Sequence, residues 1–187
     1  MTNDFPKLET ENLQLRELQR DDLLAIRTIF SDPQVTKYHV YETTTGLEKI
    51  DFIIQSRLDV WYQGQGIPWV IIKKDEQKVI GCCAYVSIDN QNRESRLVYE
   101  LASQYWRQGI MTEALTEVID FGFKSLQLNR VEAFVMTENI ASSKLLEKLD
   151  FSLEGVSREK GFWKGKFHDL KLFSLLAKDY QLKNKTL

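Results

Sequence analysis

Between Leu97 and Leu175 the spacing of apolar residues switches repeatedly between two periods, and this switching restricts the fold more than any other feature of the chain. A short run, Leu97 to Leu101, precedes a helical face at Met111, Leu115, Val118, Ile119, Gly122 and Leu126. The stretch VEAFVM then reads as a strand, SSKLLEKL as a helix, and a last strand falls around Leu170 to Leu175. Steps of three and four residues collect side chains on one helix face, whereas strands alternate or bury short apolar runs.

The first half adds helices and a hairpin. Leu13, Leu15 and Leu18 suggest an opening strand. Asp21 and Asp22 then offer an N-cap to the pattern Leu23, Leu24, Ile26, Ile29 and Phe30. Asp32-Pro33 starts a short helix, since proline suits a first helical turn. Thr45 and Glu48 have capping-box spacing ahead of Leu47, Ile50, Ile54, Leu58 and Trp61, a helix that should stop at Gly64 and Gly66. The runs Trp69 to Ile72 and Val79 to Ile88, joined by KKDEQK, read as a hairpin. The expected class is α/β: a mixed, mainly antiparallel twisted sheet with helices on both faces. No repeat or Pro/Ser-rich linker divides the sequence, so residues 1–187 are expected to form one domain.

Charge and composition narrow the function. Formal net charge is −2, with Lys and Arg scattered among Asp and Glu, which gives no reason to expect a nucleic-acid partner. No apolar run is long enough to cross a bilayer, and the first residues lack a basic flank leading into an apolar stretch, so a cytoplasmic protein without membrane association is expected. Cys82 and Cys83 are adjacent in an apolar strand, pointing to opposite faces, and His39 and His168 show no ligand spacing, so no metal is expected.

One segment suggests chemistry. In YWRQGIMTEAL, Gly109 stands between the strand LVYELA and the helix that follows. A glycine lets a ligand approach the main chain, and the free N–H groups of a first helical turn attract phosphate oxygens. Spacing alone leaves this undecided between a phosphate cradle and an ordinary loop glycine. The segment has neither the Lys-Ser/Thr of a P-loop nor GxGxxG.

Taken in order, LETENLQLRELQRDD, YEL, YWRQGIMTEAL, LNRVEAFVMTENIASSKLLEKLDFSLEG and FHDLKLFSLL resemble the successive motifs of the GNAT superfamily of acetyltransferases. The likeness runs from about residue 8 to 176 and is nearest to the branch of ribosomal-protein N-terminal acetyltransferases. It implies acetyl-CoA as acetyl donor and a primary amine as acceptor. It further implies that Arg107, Gln108, Gly109, Ile110 and Met111, continuing to Thr112, bind the pyrophosphate through backbone amides. Met111 departs from the glycine or alanine usual there, and Arg107 from a common glycine; Met111 still supplies an N–H.

Acetyl transfer needs a neutral amine, stabilisation of a developing oxyanion and a proton for the departing thiolate. The resemblance places the thioester at the main chain of Leu101 and Ala102, where the strand splays from its neighbour. It matches Asn139 to an asparagine that holds the cofactor arm; the plainer reading of Asn139 is a helix N-cap. Many members carry a tyrosine where this chain has Leu146, which closes that route for the proton. Ser142, three residues after Asn139, is the candidate donor, against a reading as a capping residue, with Ser143 as plain surface. For the base, Glu100 comes first and Glu138 second, because the acidic position four residues before Glu100 is Arg96. Strand alternation puts Tyr99 and Leu101 opposite Glu100, so only one set is expected to face substrate. His168-Asp169 is expected to make a structural hydrogen bond, and Asp150 to adopt the left-handed conformation after a helix.

The amine's own acidity bears on the acceptor. An α-amine of pKa near ~8 is roughly a tenth neutral at pH 7, and a lysine near ~10.4 about one part in a few thousand, a gap of about 3 kcal/mol. A chain without an unambiguous base therefore leans toward a peptide or protein N-terminus. The alternatives are a small-molecule amine such as a polyamine, an amino acid or an aminoglycoside-like drug, and a non-catalytic acyl-CoA-binding module. The helices after Asp32 and Thr45, with Phe162 to His168, are expected to wall the acceptor site, and the last strands offer an edge for a possible homodimer.

Overall fold

The structure is a computed structural model and describes residues 4–184. The strands are β1 (Leu8–Glu9), β2 (Leu13–Glu17), β3 (Gly66–Lys73), β4 (Lys78–Asp89), β5 (Glu94–Leu101), β6 (Arg130–Met136), β7 (Ser152–Trp163) and β8 (Lys166–Leu176). The helices are α1 (Leu23–Phe30), α2 (Pro33–Thr36), α3 (Leu47–Tyr62), α4 (Ile110–Lys124), α5 (Ile140–Lys148) and α6 (Ala177–Asn184). Among the described residues, the eight strands form one sheet in the order β1-β2-β3-β4-β5-β6-β8-β7. β5 and β6 are the parallel neighbours and every other pair is antiparallel. Also among the described residues, no helix is long and apolar enough to cross a membrane.

Helices cover both faces. Ile26, Ile29 and Phe30 of α1 and Ile50, Ile53, Ile54 and Leu58 of α3 are buried. On the opposite face α4 buries Met111, Ala114, Leu115, Val118 and Ile119. Trp69 and Tyr85, both fully buried, join the sheet to α4: Tyr85 Oη donates to Val118 O (3.0 Å), and Trp69 meets Phe121 edge to face. Gly122 gives Tyr85 its room, since a Cβ there would lie 2.3 Å from the phenol oxygen. Glu113, in the first turn of α4, accepts from Asn12 N (2.9 Å) and Asn12 Nδ2 (3.2 Å), which ties the start of the helix to the β1–β2 turn.

Several local expectations give way to other arrangements. Asp22 does not cap α1; its carboxylate takes both terminal nitrogens of Arg16 (2.7 and 2.8 Å) and the Gln19 N–H (2.9 Å). Thr45 and Glu48 form no capping box, because Gly46 is the N-cap and Thr44 Oγ1 accepts from its N–H (3.2 Å). β7 lacks a sequence signature: it is an edge strand, exposed along most of its length, with no core-facing period to read. The short helix at Asp32-Pro33 and the left-handed Asp150 (φ 65°) are as expected.

Candidate active site

β5 and β6 pair over Glu94, Ser95 and Arg96 against Arg130, Val131 and Glu132, and then part. β5 runs on beside β4 to Leu101, while β6 follows β8 to Met136. A cavity of about 470 Å³ adjoins the parting strands, lined by β5, β6, α3, the start of α5 and the segment Tyr38 to Tyr41. Because the opening passes through the sheet, residues from both faces of β5 line it, Tyr99 and Glu100 alike. The expectation that only one set could face it is thereby corrected, since strand alternation separates faces only where a sheet is continuous.

Glu100 is buried on the α1/α3 face. Its Oε1 accepts from Arg57 of α3, and its Oε2 lies 4.0 Å from His39 Nε2. Arg57 also stands over the Phe30 ring (5.4 Å). His39 is stacked on Tyr41 (5.0 Å), and its Nδ1 accepts from Tyr41 N (3.1 Å), so the neutral ring carries its proton on Nε2, toward Glu100. Burial, with Arg57 and Lys164 nearby, holds the His39 imidazole below its ordinary 6.5 against the pull of Glu100. The unfolded chain therefore takes up this proton first as pH falls. Wild type is expected to lose stability below about pH 6.5 relative to His39→Gln. Melting temperatures of both proteins from roughly pH 8 to roughly pH 5 check this, and a constant gap between them would overturn it.

On the other face Asn139 is the N-cap of α5, its Oδ1 accepting from Ser142 N (3.1 Å). Ser142 Oγ lies 2.6 Å from the Tyr99 hydroxyl. Leu146 is fully buried. Ser143 is buried instead of lying on the surface, and its Oγ donates to Asn139 O (3.2 Å). Glu138 is exposed and lies outside the cavity lining; its own backbone N–H and the Thr137 hydroxyl lower its pKa, which makes it a weak base at neutral pH. Arg96 is exposed and sits over Phe134 (5.0 Å).

At the end of β5, Leu101 and the following Ala102 are buried and do not line the cavity. Ala102 N donates to Ile80 O (2.9 Å), and the Leu101 carbonyl accepts from Trp106 Nε1 (2.8 Å). Alternate residues of an antiparallel strand turn their amides to opposite edges, so Leu101 N–H faces the parting and Ala102 N–H does not. The turn at Arg107 to Gly109 is exposed, with Arg107 at φ 61° and Gly109 at φ 80°. Nothing lies within 4 Å of a Cβ added to Gly109, and no side chain caps α4. Ile110 and Met111 pack into the core, so the bulk of Met111 is turned away from the open turn, and Thr112 is half-buried. An open left-handed turn leading into an uncapped helix of fifteen residues suits a phosphate group, and the residues present fit coenzyme A. When bound, acetyl-CoA supplies the activated acetyl thioester.

The structure thus brings Glu100, Asn139 and Ser142 around one cavity and leaves the stretch from Leu101, the last residue of β5, to Thr112 outside its lining. Reading the sequence gave no role to Arg57 or His39, and named Tyr99 only as the side chain that alternates with Glu100. Arg57 left a trace, a charge within the apolar stripe Ile50, Ile54, Leu58 of α3; His39 left none. Of the segments expected to wall the acceptor, α3 lines the cavity, as does Tyr38 to Tyr41 just after α2, while α2 itself does not. Phe162 to His168 stays outside the lining, its hairpin closed by His168, which stacks on Trp163 (4.3 Å) and donates from Nε2 to Trp163 O (3.1 Å).

Comparison with known proteins identifies the family. The acetyltransferase (GNAT) domain family matches residues 12–152. The uncharacterized N-acetyltransferase p20 of Bacillus licheniformis is 39% identical over 173 residues, covering 92% of this chain and 97% of that protein. Among solved structures, the ribosomal-protein-S5-alanine acetyltransferase from Vibrio fischeri superposes with a TM-score of 0.79 at 24% identity, covering 94% of this chain and 98% of that one. Spermidine N-acetyltransferase from Vibrio cholerae, in complex with CoA and spermine, gives 0.79 at 21% identity, covering 92% and 99%. With the family model covering most of the sequence, the chain belongs to the GNAT acetyltransferase family and is an acetyl-CoA-dependent N-acetyltransferase.

Proposed function

We propose that the acceptor is the α-amine of a peptide or protein N-terminus. The amine approaches Glu100, the coenzyme lies along Leu101 and the turn from Arg107 to Thr112 with Asn139 beside its arm, and the departing sulfur comes to Ser142. One observation carries the choice of acceptor. Glu100 is the one carboxylate among the described residues lining the cavity, and it is already paired with Arg57 and flanked by His39. A polyamine carries several charges and would find no free acidic partner there. An α-amine needs none, because a useful fraction of it is neutral at pH 7.

The test is thiol release from acetyl-CoA with short peptides bearing a free N-terminus, N-terminally blocked peptides whose amine is a lysine, and spermidine. The free N-terminus is expected to give the highest kcat/KM, by roughly two hundredfold over the lysine peptide if neutral fraction alone decides. A spermidine value equal to or above that of the free peptides would overturn the assignment and favour the small-molecule reading.

A further inference from the structure

Tyr99 projects from β5 into the same cavity as Ser142 of α5, and their oxygens lie 2.6 Å apart. Leu146, one turn beyond Ser142, is fully buried and offers no hydrogen-bond donor. Burial pushes the Tyr99 phenol up to about 12, with the Ser142 bond acting the other way, so the ring keeps its proton at neutral pH. Either hydroxyl can donate across this contact; phenols are stronger acids than aliphatic alcohols, which favours Tyr99 as donor and Ser142 Oγ as acceptor. The serine's own hydrogen is then directed away from Tyr99, and its main chain is held by the Asn139 cap.

We propose that Tyr99 is a positioning residue for the leaving group: by donating to Ser142 Oγ it orients the serine hydrogen toward the departing sulfur of coenzyme A. The inference rests on the placement of Ser142 at that sulfur. In the transfer the nitrogen–carbon bond forms, the carbon–sulfur bond breaks, and sulfur leaves with the electron pair. The amine's proton passes to Glu100 or to water. Sulfur accepts a hydrogen bond from Ser142 and takes its proton from solvent. Passing a proton along Tyr99 and Ser142 would run uphill, since a phenol held above its usual range is a weaker acid than an ordinary thiol near ~8.5. The pair therefore stabilises the thiolate without surrendering a proton.

The decisive measurement is the ultraviolet titration of the coenzyme A thiol in its binary complex, which needs no acceptor. Wild type is expected to hold the bound thiol below the pKa of free coenzyme A, and Ser142→Ala to abolish the effect. Tyr99→Phe should lose most of it, and the double variant should match Ser142→Ala alone. Ser142→Thr, which keeps the hydroxyl, should retain it. With an active amine, Tyr99→Phe is expected to lower kcat about tenfold while leaving the KM for acetyl-CoA within about twofold, the signature of an interaction made at the transition state. Wild-type titration and kcat in Tyr99→Phe would overturn the proposal, and so would losses that simply add in the double variant. Should peptides fail as acceptors, the acceptor assignment falls while the thiol titration still decides the role of Tyr99.

Discussion

Arg57→Met is expected to lower the stability of the protein by about 3–5 kcal/mol, because it leaves the Glu100 carboxylate buried without its counter-charge. Methionine keeps much of the volume, so the loss is assigned to the missing charge, which also takes away the guanidinium's place over the Phe30 ring, and not to packing. Removing both charges should cost far less: Arg57→Met with Glu100→Gln is expected to recover most of the difference, since a buried ion pair taken away whole is often nearly neutral. Urea unfolding at constant m-value measures both variants. A cost below about 1 kcal/mol for Arg57→Met would mean that water reaches the pair, as it does for exposed ion pairs.

The second large effect is on coenzyme binding. Gly109 sits at φ 80°, where a β-branched residue is a conformational outlier. Gly109→Val should force the turn to change. Stability should fall modestly, because no heavy atom lies within 4 Å of an added Cβ and α4 is anchored through its buried face. Affinity for acetyl-CoA should fall about a hundredfold, which corresponds to one or two lost hydrogen bonds to a charged group at 1.5–3 kcal/mol each, roughly. Calorimetric titration measures it, with dephospho-CoA as the control. That compound keeps the pyrophosphate, so its affinity should drop by the same factor. Unchanged binding of both ligands would remove the phosphate role from this turn.

Local pattern made much of the architecture legible. The three- and four-residue spacing of Met111, Leu115, Val118 and Ile119 is the buried face of α4, and the paired runs around KKDEQK are the β3–β4 hairpin. Each of these signals arises within one element, where a residue's neighbours in sequence decide which side it presents. Gly109 belongs to the same class, since a positive φ is a property of one residue. Where local rules competed, the sequence misled. Thr45 and Glu48 have capping spacing, yet the chain turns at Gly46 with Thr44 bonded across it.

The sequence by itself thus determined the order and core faces of the elements whose residues carry a period, and the resemblance that points to acetyl transfer. Tertiary structure decided the composition of the cavity. Arg57 with Glu100 and Tyr99 with Ser142 are each separated by 43 residues, and each joins a strand to a helix on a different face of the sheet. β7 likewise became a strand because β8 offered it an edge, not because its own residues alternate. Periodicity records how an element divides its own surface between core and solvent. It carries no record of which distant side chain will meet it once the sheet has parted, and at this site that meeting sets the chemistry.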